Sequence, residues 1–163
     1  MASVIAAAAA PEEPMLVAET GLGRLQMVAR RGDNAFVVDE PRLDGGLGSG
    51  PNPYDLLCAA LGSCKAMTMR LYAERKGWPL TRVQVAVRHQ RASLDAKDCF
   101  DCTVILEGPL DEAQRARLLE IAGHCPVHKT LERGSDVNTG LHPIGLATDA
   151  SEHMRDMEEA AAA

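Results

Sequence analysis

The chain has 163 residues, enough for one domain with a moderate core, and its 46% hydrophobic and 25% charged residues are ordinary for a soluble globular protein. Aromatic residues are only 3%, so the core must be built from aliphatic side chains and methionine. The formal net charge of −6 gives no electrostatic reason to expect a nucleic-acid partner. The sequence also lacks a phosphate loop and a dinucleotide fingerprint, so we expect no cofactor.

The two ends of the chain differ from its middle. Residues 1–20 open with an alanine-rich stretch that lacks a basic region, and residues 146–163 end in four alanines. We predict flexible or helical tails there, on either side of a single domain over residues 21–145. Neither a secretory signal nor a membrane span is predicted, which favours a cytoplasmic protein without a membrane partner, whose cysteines are reduced.

The first predicted elements are a hairpin and a long helix. Residues 22–29 and 35–39 are read as strands around the turn Arg31-Gly32-Asp33-Asn34. A loop with four glycines follows at residues 43–50. Residues 55–76 then carry apolar side chains at helical spacing, with small or apolar residues on most other faces. This pattern predicts a helix that is buried nearly all round, with Asp55 as a candidate N-cap.

The second half of the chain predicts two strands and two shorter helices. Valines at 83, 85 and 87 alternate with polar residues and predict a strand, which we pair with a second strand over residues 102–106. Asp111 should cap a helix. Its inward-facing side chains are predicted to be Leu118, Leu119, Ile121 and Ala122. A helix over residues 126–133 and a strand at 137–139 complete an α+β domain, an antiparallel sheet packed on a long central helix.

Two of the five cysteines lie where packing alone is a weak explanation. Cys125 precedes Pro126, so we expect it to be the N-cap of the short helix, where backbone N–H groups and the helix dipole favour a thiolate. Cys64 lies on the inward stripe of the central helix, where burial raises a thiol pKa unless a cation lies nearby. Together they suggest a thiol pair that closes as a disulfide and reopens.

The other cysteines and one histidine leave alternatives open. Cys58 fits a small buried hydrophobic residue. Cys99 and Cys102 form a C-x-x-C at the start of a strand; an incidental role is favoured, with a zinc half-site or a secondary redox pair as alternatives. The histidines that such a site would need are His89, His124 and His128. His128 either tunes the Cys125 thiol or is a surface or capping residue.

Several motifs in this order resemble one known family. They are Gly45-Gly46, the run Gly50-Pro51-Asn52-Pro53-Tyr54-Asp55-Leu56-Leu57, Gly62-Ser63-Cys64, and Cys125-Pro126-Val127-His128. The sequence resembles the OsmC/Ohr family of thiol-dependent hydroperoxide reductases and osmotically inducible proteins, over roughly residues 22–141 and within the branch that carries Cys-Pro-Val-His. The resemblance implies an OsmC-like sheet wrapped on the central helix, in an intertwined homodimer with both cysteines near the subunit interface.

The resemblance also implies partners for the thiols. Family members supply an arginine from the first hairpin to the reactive cysteine, for which Arg31 is the preferred match, Arg30 the second and Arg24 an outside choice. Family peroxidases place a glutamate directly after Asn-Pro, where this chain has Tyr54. A phenol accepts a hydrogen bond from guanidinium but is uncharged at neutral pH, so this departure bears directly on peroxidase activity.

The function implied is reduction of organic hydroperoxides. Cys64 would attack the peroxide and become a sulfenic acid, Cys125 would condense with it to a disulfide, and an external dithiol would restore both thiols, without a metal. Two alternatives use the same fold. One is a non-catalytic dimer that senses oxidants or binds a small molecule, and the other is a structural dimer with inert thiols.

Overall fold

The computed structural model describes residues 14–141, and the chain divides into two compact units. One unit includes the chain up to Asn52, and the other is Pro53–Thr139. The predicted C-terminal tail at residues 146–163 lies outside the described residues, as does most of the predicted N-terminal tail. None of the helices in the described part is both long and apolar enough to cross a lipid bilayer.

The first unit contains a three-stranded antiparallel sheet. Its strands β1 (Leu16–Glu19), β2 (Met27–Arg31) and β3 (Asn34–Val38) lie in chain order. The predicted hairpin is confirmed, with a two-residue turn in which Gly32 has a φ of 54°. β1 was not predicted, because it falls in residues 1–20, which were assigned to the tail. Four residues are too few for a periodic signal, and β1 exists because β2 pairs with it.

The glycine-rich loop that leads into the second unit is organised by Asp39. This side chain is only 1% exposed and its Oδ2 accepts hydrogen bonds from the Leu47 and Ser49 amides and the Ser49 hydroxyl, at 3.0, 3.1 and 2.7 Å. The hydroxyl bond from Ser49 is the main reason why the pKa of Asp39 is lowered. Gly46 is required here because a Cβ on it would lie 1.9 Å from the Glu40 carbonyl oxygen.

The second unit is built on helix α1 (Pro53–Lys76), whose long helical prediction is confirmed. The helix begins at Pro53, so Asp55 lies in its first turn and is not its N-cap, because proline is itself favoured at a first turn. The residues buried on α1 form one stripe: Leu61, Gly62, Lys65, Met69 and Ala73. The prediction of burial all round is wrong for the single chain, since Met67 is 64% and Leu71 53% exposed.

The strands β4 (Arg82–Gln90) and β5 (Cys99–Glu107) form an antiparallel pair that packs on α1. Gly62 permits close packing, because a Cβ on it would lie 3.2 Å from a Val87 methyl group. The prediction of an α+β domain with an antiparallel sheet and a long helix is confirmed. The core joins these elements through Met69, Ala73, Leu80, Leu110, Leu118 and Ala122.

Two short helices complete the unit, α2 (Glu112–Ala122) and α3 (Pro126–Arg133). Asp111 is the N-cap of α2 as predicted, in a capping box with Gln114. Leu119, predicted to face inward, is 59% exposed because the buried stripe of this short helix runs through Leu118 and Ala122. The strand predicted at residues 137–139 is wrong, since those described residues pair with no other strand and Val137 is 84% exposed.

Candidate functional site

Cys125 lies at the start of α3, as the sequence predicts. Its sulfur accepts a hydrogen bond from the His128 amide at 3.4 Å, and the side chain is fully buried. Pro126 occupies the first helical position, where a proline is tolerated because its φ is already close to helical and an N–H there would have no partner within the helix. The local sequence therefore places a thiol against unpaired backbone donors at a helix start.

The thiols of Cys64 and Cys125 are hydrogen-bonded to each other. The His128 amide lowers the pKa of Cys125, as expected at an N-cap, but burial has the larger effect and raises it. The bond to Cys64 raises this pKa further. Cys125 is fully buried and Cys64 is half-buried, so Cys64 is the more accessible thiol of the two.

A buried lysine lies beside this pair, and the sequence analysis did not single it out. Lys65 is only 6% exposed, and its Nζ donates to the Ala122 carbonyl oxygen and to His128 Nδ1, both at 3.0 Å. Its charge lowers the pKa of Cys125 against the larger effect of burial. The helical spacing could have predicted its burial, since residue 65 falls on the buried stripe of α1 between Leu61 and Met69.

His128 is held by Lys65 in one protonation state. Because the ammonium donates to Nδ1, the ring proton lies on Nε2 and the imidazole is neutral. Burial, followed by the charge of Lys65, lowers the pKa of His128. Its Nε2 lies 3.9 Å from a Glu132 carboxylate oxygen. The ring therefore links helix α3 to the lysine on α1 and does not act as a simple surface histidine.

Tyr54 belongs to a separate polar cluster. Its hydroxyl accepts from Arg91 at 2.7 Å, its ring stacks on His89 with 4.3 Å between centroids, and His89 Nε2 lies 2.7 Å from Asp98. Ten residues of helix separate Tyr54 from Cys64, or about 15 Å along the axis at 1.5 Å per residue. Within one chain the structure therefore does not bring Tyr54 to the thiols, and its guanidinium partner is Arg91.

The predicted hairpin arginines lie in the first unit. Arg31 and Arg30 are at the end of β2, opposite Asn34 and Ala35 of β3, and the Arg24 guanidinium lies over Gly45. That one of them serves Cys64 stays a prediction. Within the second unit, the charge of Lys65 acts on Cys125.

The remaining cysteines do not form a pair or a metal site. Cys99 is exposed and Cys102 half-buried, and three residues along a strand set them on opposite faces, about 10 Å apart at 3.3 Å per residue. That separation exceeds disulfide reach. Within residues 14–141 no three His, Cys, Asp or Glu side chains converge to hold a metal ion.

A cavity of about 310 Å³ opens beside Lys65. Helix α1 contributes Leu61 and Lys65, β5 contributes Phe100 and Cys102, and α3 contributes His128 and Leu131. Burial raises the pKa of Cys102 more than the charge of Lys65 lowers it. Lys65 thus lines this cavity and also acts on the Cys125 thiol.

Comparison with known proteins identifies the fold. Three solved structures resemble this chain: a candidate osmotic-stress-induced and detoxification-response protein from Psychrobacter arcticus, the organic hydroperoxide resistance protein OsmC from Legionella pneumophila, and the organic hydroperoxide resistance protein OhrB of Bacillus subtilis. Their identities are 21%, 20% and 20%, with TM-scores of 0.63, 0.56 and 0.51. The matches cover 79%, 72% and 72% of this chain and 88%, 88% and 89% of theirs.

At these identities the structures establish the fold alone. No curated protein sequence matches the chain. The model of the OsmC-like protein family matches residues 46–140, which include α1, both cysteines of the thiol pair and Lys65. That match spans more than half of the sequence. The chain therefore belongs to the OsmC-like protein family.

Proposed function

We propose that this chain is a thiol-dependent reductase of organic hydroperoxides, in which Cys64 is the nucleophile and Cys125 the resolving thiol. The observation that carries the proposal is the contact between their side chains, with Cys125 fully buried and Cys64 half-buried. This arrangement leaves Cys64 the more accessible thiol and keeps the second thiol within bonding reach. The Legionella and Bacillus relatives, named for organic hydroperoxide resistance, support the substrate class.

The chemistry proceeds in three balanced steps. The Cys64 thiolate attacks one oxygen of the peroxide, the O–O bond breaks, and the departing alkoxide takes a proton to become an alcohol. Cys125 then attacks the Cys64 sulfenic acid, forming a disulfide and releasing water. An external dithiol reduces this disulfide by exchange, becomes a disulfide itself and restores both thiols.

A cation is needed while Cys64 is ionised. Lys65 supplies one from within the second unit, since its charge already acts on the thiol pair. The hairpin residue Arg31, or its neighbour Arg30, is proposed as the second cation, as the family resemblance implies. The two cations would stabilise the thiolate and the developing alkoxide respectively.

The active assembly is proposed to be an intertwined homodimer. One face of α1 is apolar and exposed in the single chain, at Leu57, Met67 and Leu71, so a second copy has a surface to cover. Tyr54 lies about 15 Å along α1 from the Cys64 of its own chain. It can therefore act on a Cys64 thiol only from the second copy.

The alternative is a dimer that responds to oxidant without efficient turnover. The observation favouring it is Tyr54, whose neutral hydroxyl meets Arg91 where a carboxylate would make a stronger, charge-assisted pair. A weakly held guanidinium contributes less to positioning a peroxide. Turnover number separates the two functions, because a sensor needs only to react once.

The test is consumption of cumene hydroperoxide in the presence of dithiothreitol. Cys64→Ser should fall to the uncatalysed rate, because no nucleophile remains. Cys125→Ser should react once and then accumulate sulfinic acid on Cys64, detected by mass spectrometry, because no thiol condenses with the sulfenic acid. Cys58→Ser, one and a half turns away on the same helix, should behave as wild type. Equal turnover in wild type and Cys64→Ser would rule out the proposed mechanism.

A further inference from the structure

The cavity beside Lys65 has apolar walls and a cationic base. Its lining includes Leu61, Phe100 and Leu131 together with Lys65, which is only 6% exposed. Its volume of about 310 Å³ is at the lower end of the range for small-molecule sites. The cavity lies wholly within the second unit.

The ammonium at the base is not matched by an anion. An ammonium has three N–H donors, and Lys65 uses two of them, on the Ala122 carbonyl oxygen and the neutral His128 ring. Among the residues that the structure describes, no carboxylate pairs with Lys65. A buried charge without a counter-ion is unfavourable. A negatively charged acceptor would therefore stabilise Lys65 by accepting from its third N–H and by neutralising its charge.

The two carboxylates at the cavity rim are already engaged elsewhere. Asp98 lies 2.7 Å from His89 Nε2 and 3.8 Å from Arg91. Glu132 accepts from Lys129 at 2.8 Å, which is the first cause of its lowered pKa. Lys97 also lines the cavity and acts on Glu132, so Lys65 is the lining charge that is buried and lacks a carboxylate partner among the described residues.

We propose that this cavity binds a small organic monocarboxylate. Its carboxylate accepts from the Lys65 ammonium, and its apolar body packs against Phe100, Leu61 and Leu131. This site shares Lys65 with the proposed reductase mechanism, but ligand binding is measured without peroxide and does not depend on turnover. The apolar walls select an organic acid over inorganic phosphate or sulfate, which would leave those walls uncovered.

Calorimetric titration of the full chain with benzoate tests the proposal, with uncharged benzamide as the matched probe. Benzoate should bind at one site per chain. Benzamide should bind at least about tenfold more weakly, because it lacks the charge-assisted hydrogen bond. Lys65→Met should remove this preference. Lys76→Met, at the exposed C-terminal end of the same helix, should leave it unchanged.

Two results would overturn the proposal: benzoate and benzamide binding equally to the wild type, or benzoate failing to bind at millimolar concentration. Leu131→Trp provides an independent test if Lys65→Met does not fold, since it fills the cavity and leaves Lys65 in place. It should weaken benzoate binding at least about tenfold, because the ligand's apolar body would be excluded. Undiminished binding in a folded Leu131→Trp protein would place benzoate elsewhere and refute the site.

Discussion

At Cys125 two effects of opposite sign act on the thiol. The N-cap amide of His128 and the nearby Lys65 charge favour the anion, while complete burial and the bond to Cys64 favour the neutral form, and burial has the largest effect. A protonated Cys125 is suited to resolving a sulfenic acid, because it does not compete with Cys64 for peroxide. The difference in burial between the two thiols therefore agrees with the roles proposed for them.

His128 predicts how stability depends on pH. Its pKa is lowered from 6.5 in the folded chain, mainly by burial, so below that value the unfolded chain binds more protons than the folded one. The free energy of unfolding should therefore fall as pH drops from 7.5 to 5.5, and less steeply in His128→Gln. Urea denaturation at both pH values measures this, with the exposed His124→Gln as control. A His128→Gln protein with the same pH dependence as wild type would contradict the assignment.

Tyr54 predicts the pH dependence of activity. Because Tyr54 offers the Arg91 guanidinium a neutral hydroxyl where a glutamate would offer a carboxylate, peroxide reduction should be slow at neutral pH and should rise with pH, since the thiolate is the reactive form of a cysteine. Tyr54→Glu should raise the rate at pH 7 by placing the guanidinium more firmly. Initial rates from pH 6 to 9 measure both effects, and Arg91→Ala in the Tyr54→Glu background should cancel the gain, because Arg91 is the guanidinium that contacts residue 54. A wild-type rate that is already fast and does not change from pH 6 to 8 would show that another group takes the role that glutamate has at this position in family peroxidases.

At the scale of the elements, local signals were sufficient for the helices and for one half of the site. Pro126 after Cys125 and the Asp111 cap mark helix starts by chemistry that acts within four residues, and both are confirmed. Strand β1 and the role of Lys65 escaped prediction because each depends on residues distant in sequence, namely β2 in one case and Ala122 and His128 in the other. Such partners are set by tertiary structure, which the periodicity of a single sequence does not predict.

The capping box of α2 predicts a stability effect. Asp111 Oδ1 accepts from the Gln114 amide at 2.7 Å, and the Gln114 side chain accepts from the Asp111 amide at 3.1 Å. Asp111→Ala should reduce the free energy of unfolding by about 1 kcal/mol, because an amide donor at the helix start loses its partner. Urea denaturation measures the loss, with the exposed Asp136→Ala as a control that should change little. A loss no greater than that of the control would show that water replaces the cap without penalty.

For the whole molecule, the exposed face of α1 and the position of Tyr54 point to the same assembly. A single short sheet covers only one stripe of a helix that is apolar on other faces too. The site as proposed is incomplete in one chain, because Tyr54 and Cys64 of that chain are separated by ten helical residues. Association of two copies, as proposed, would cover this apolar face.

A substitution that prevents dimer formation should therefore also reduce hydroperoxide turnover. Light scattering should give twice the chain mass of 17.4 kDa at micromolar concentration. Met67→Glu, which adds a charge to the exposed apolar face of α1, should shift the protein toward the monomer and reduce hydroperoxide turnover per thiol, because a carboxylate is costly to bury without a partner. Leu94→Glu makes the same change in the exposed β4–β5 connection and should alter neither property. A stable wild-type monomer would remove the homodimer, and a Met67→Glu monomer with full turnover would show that one chain holds the complete site.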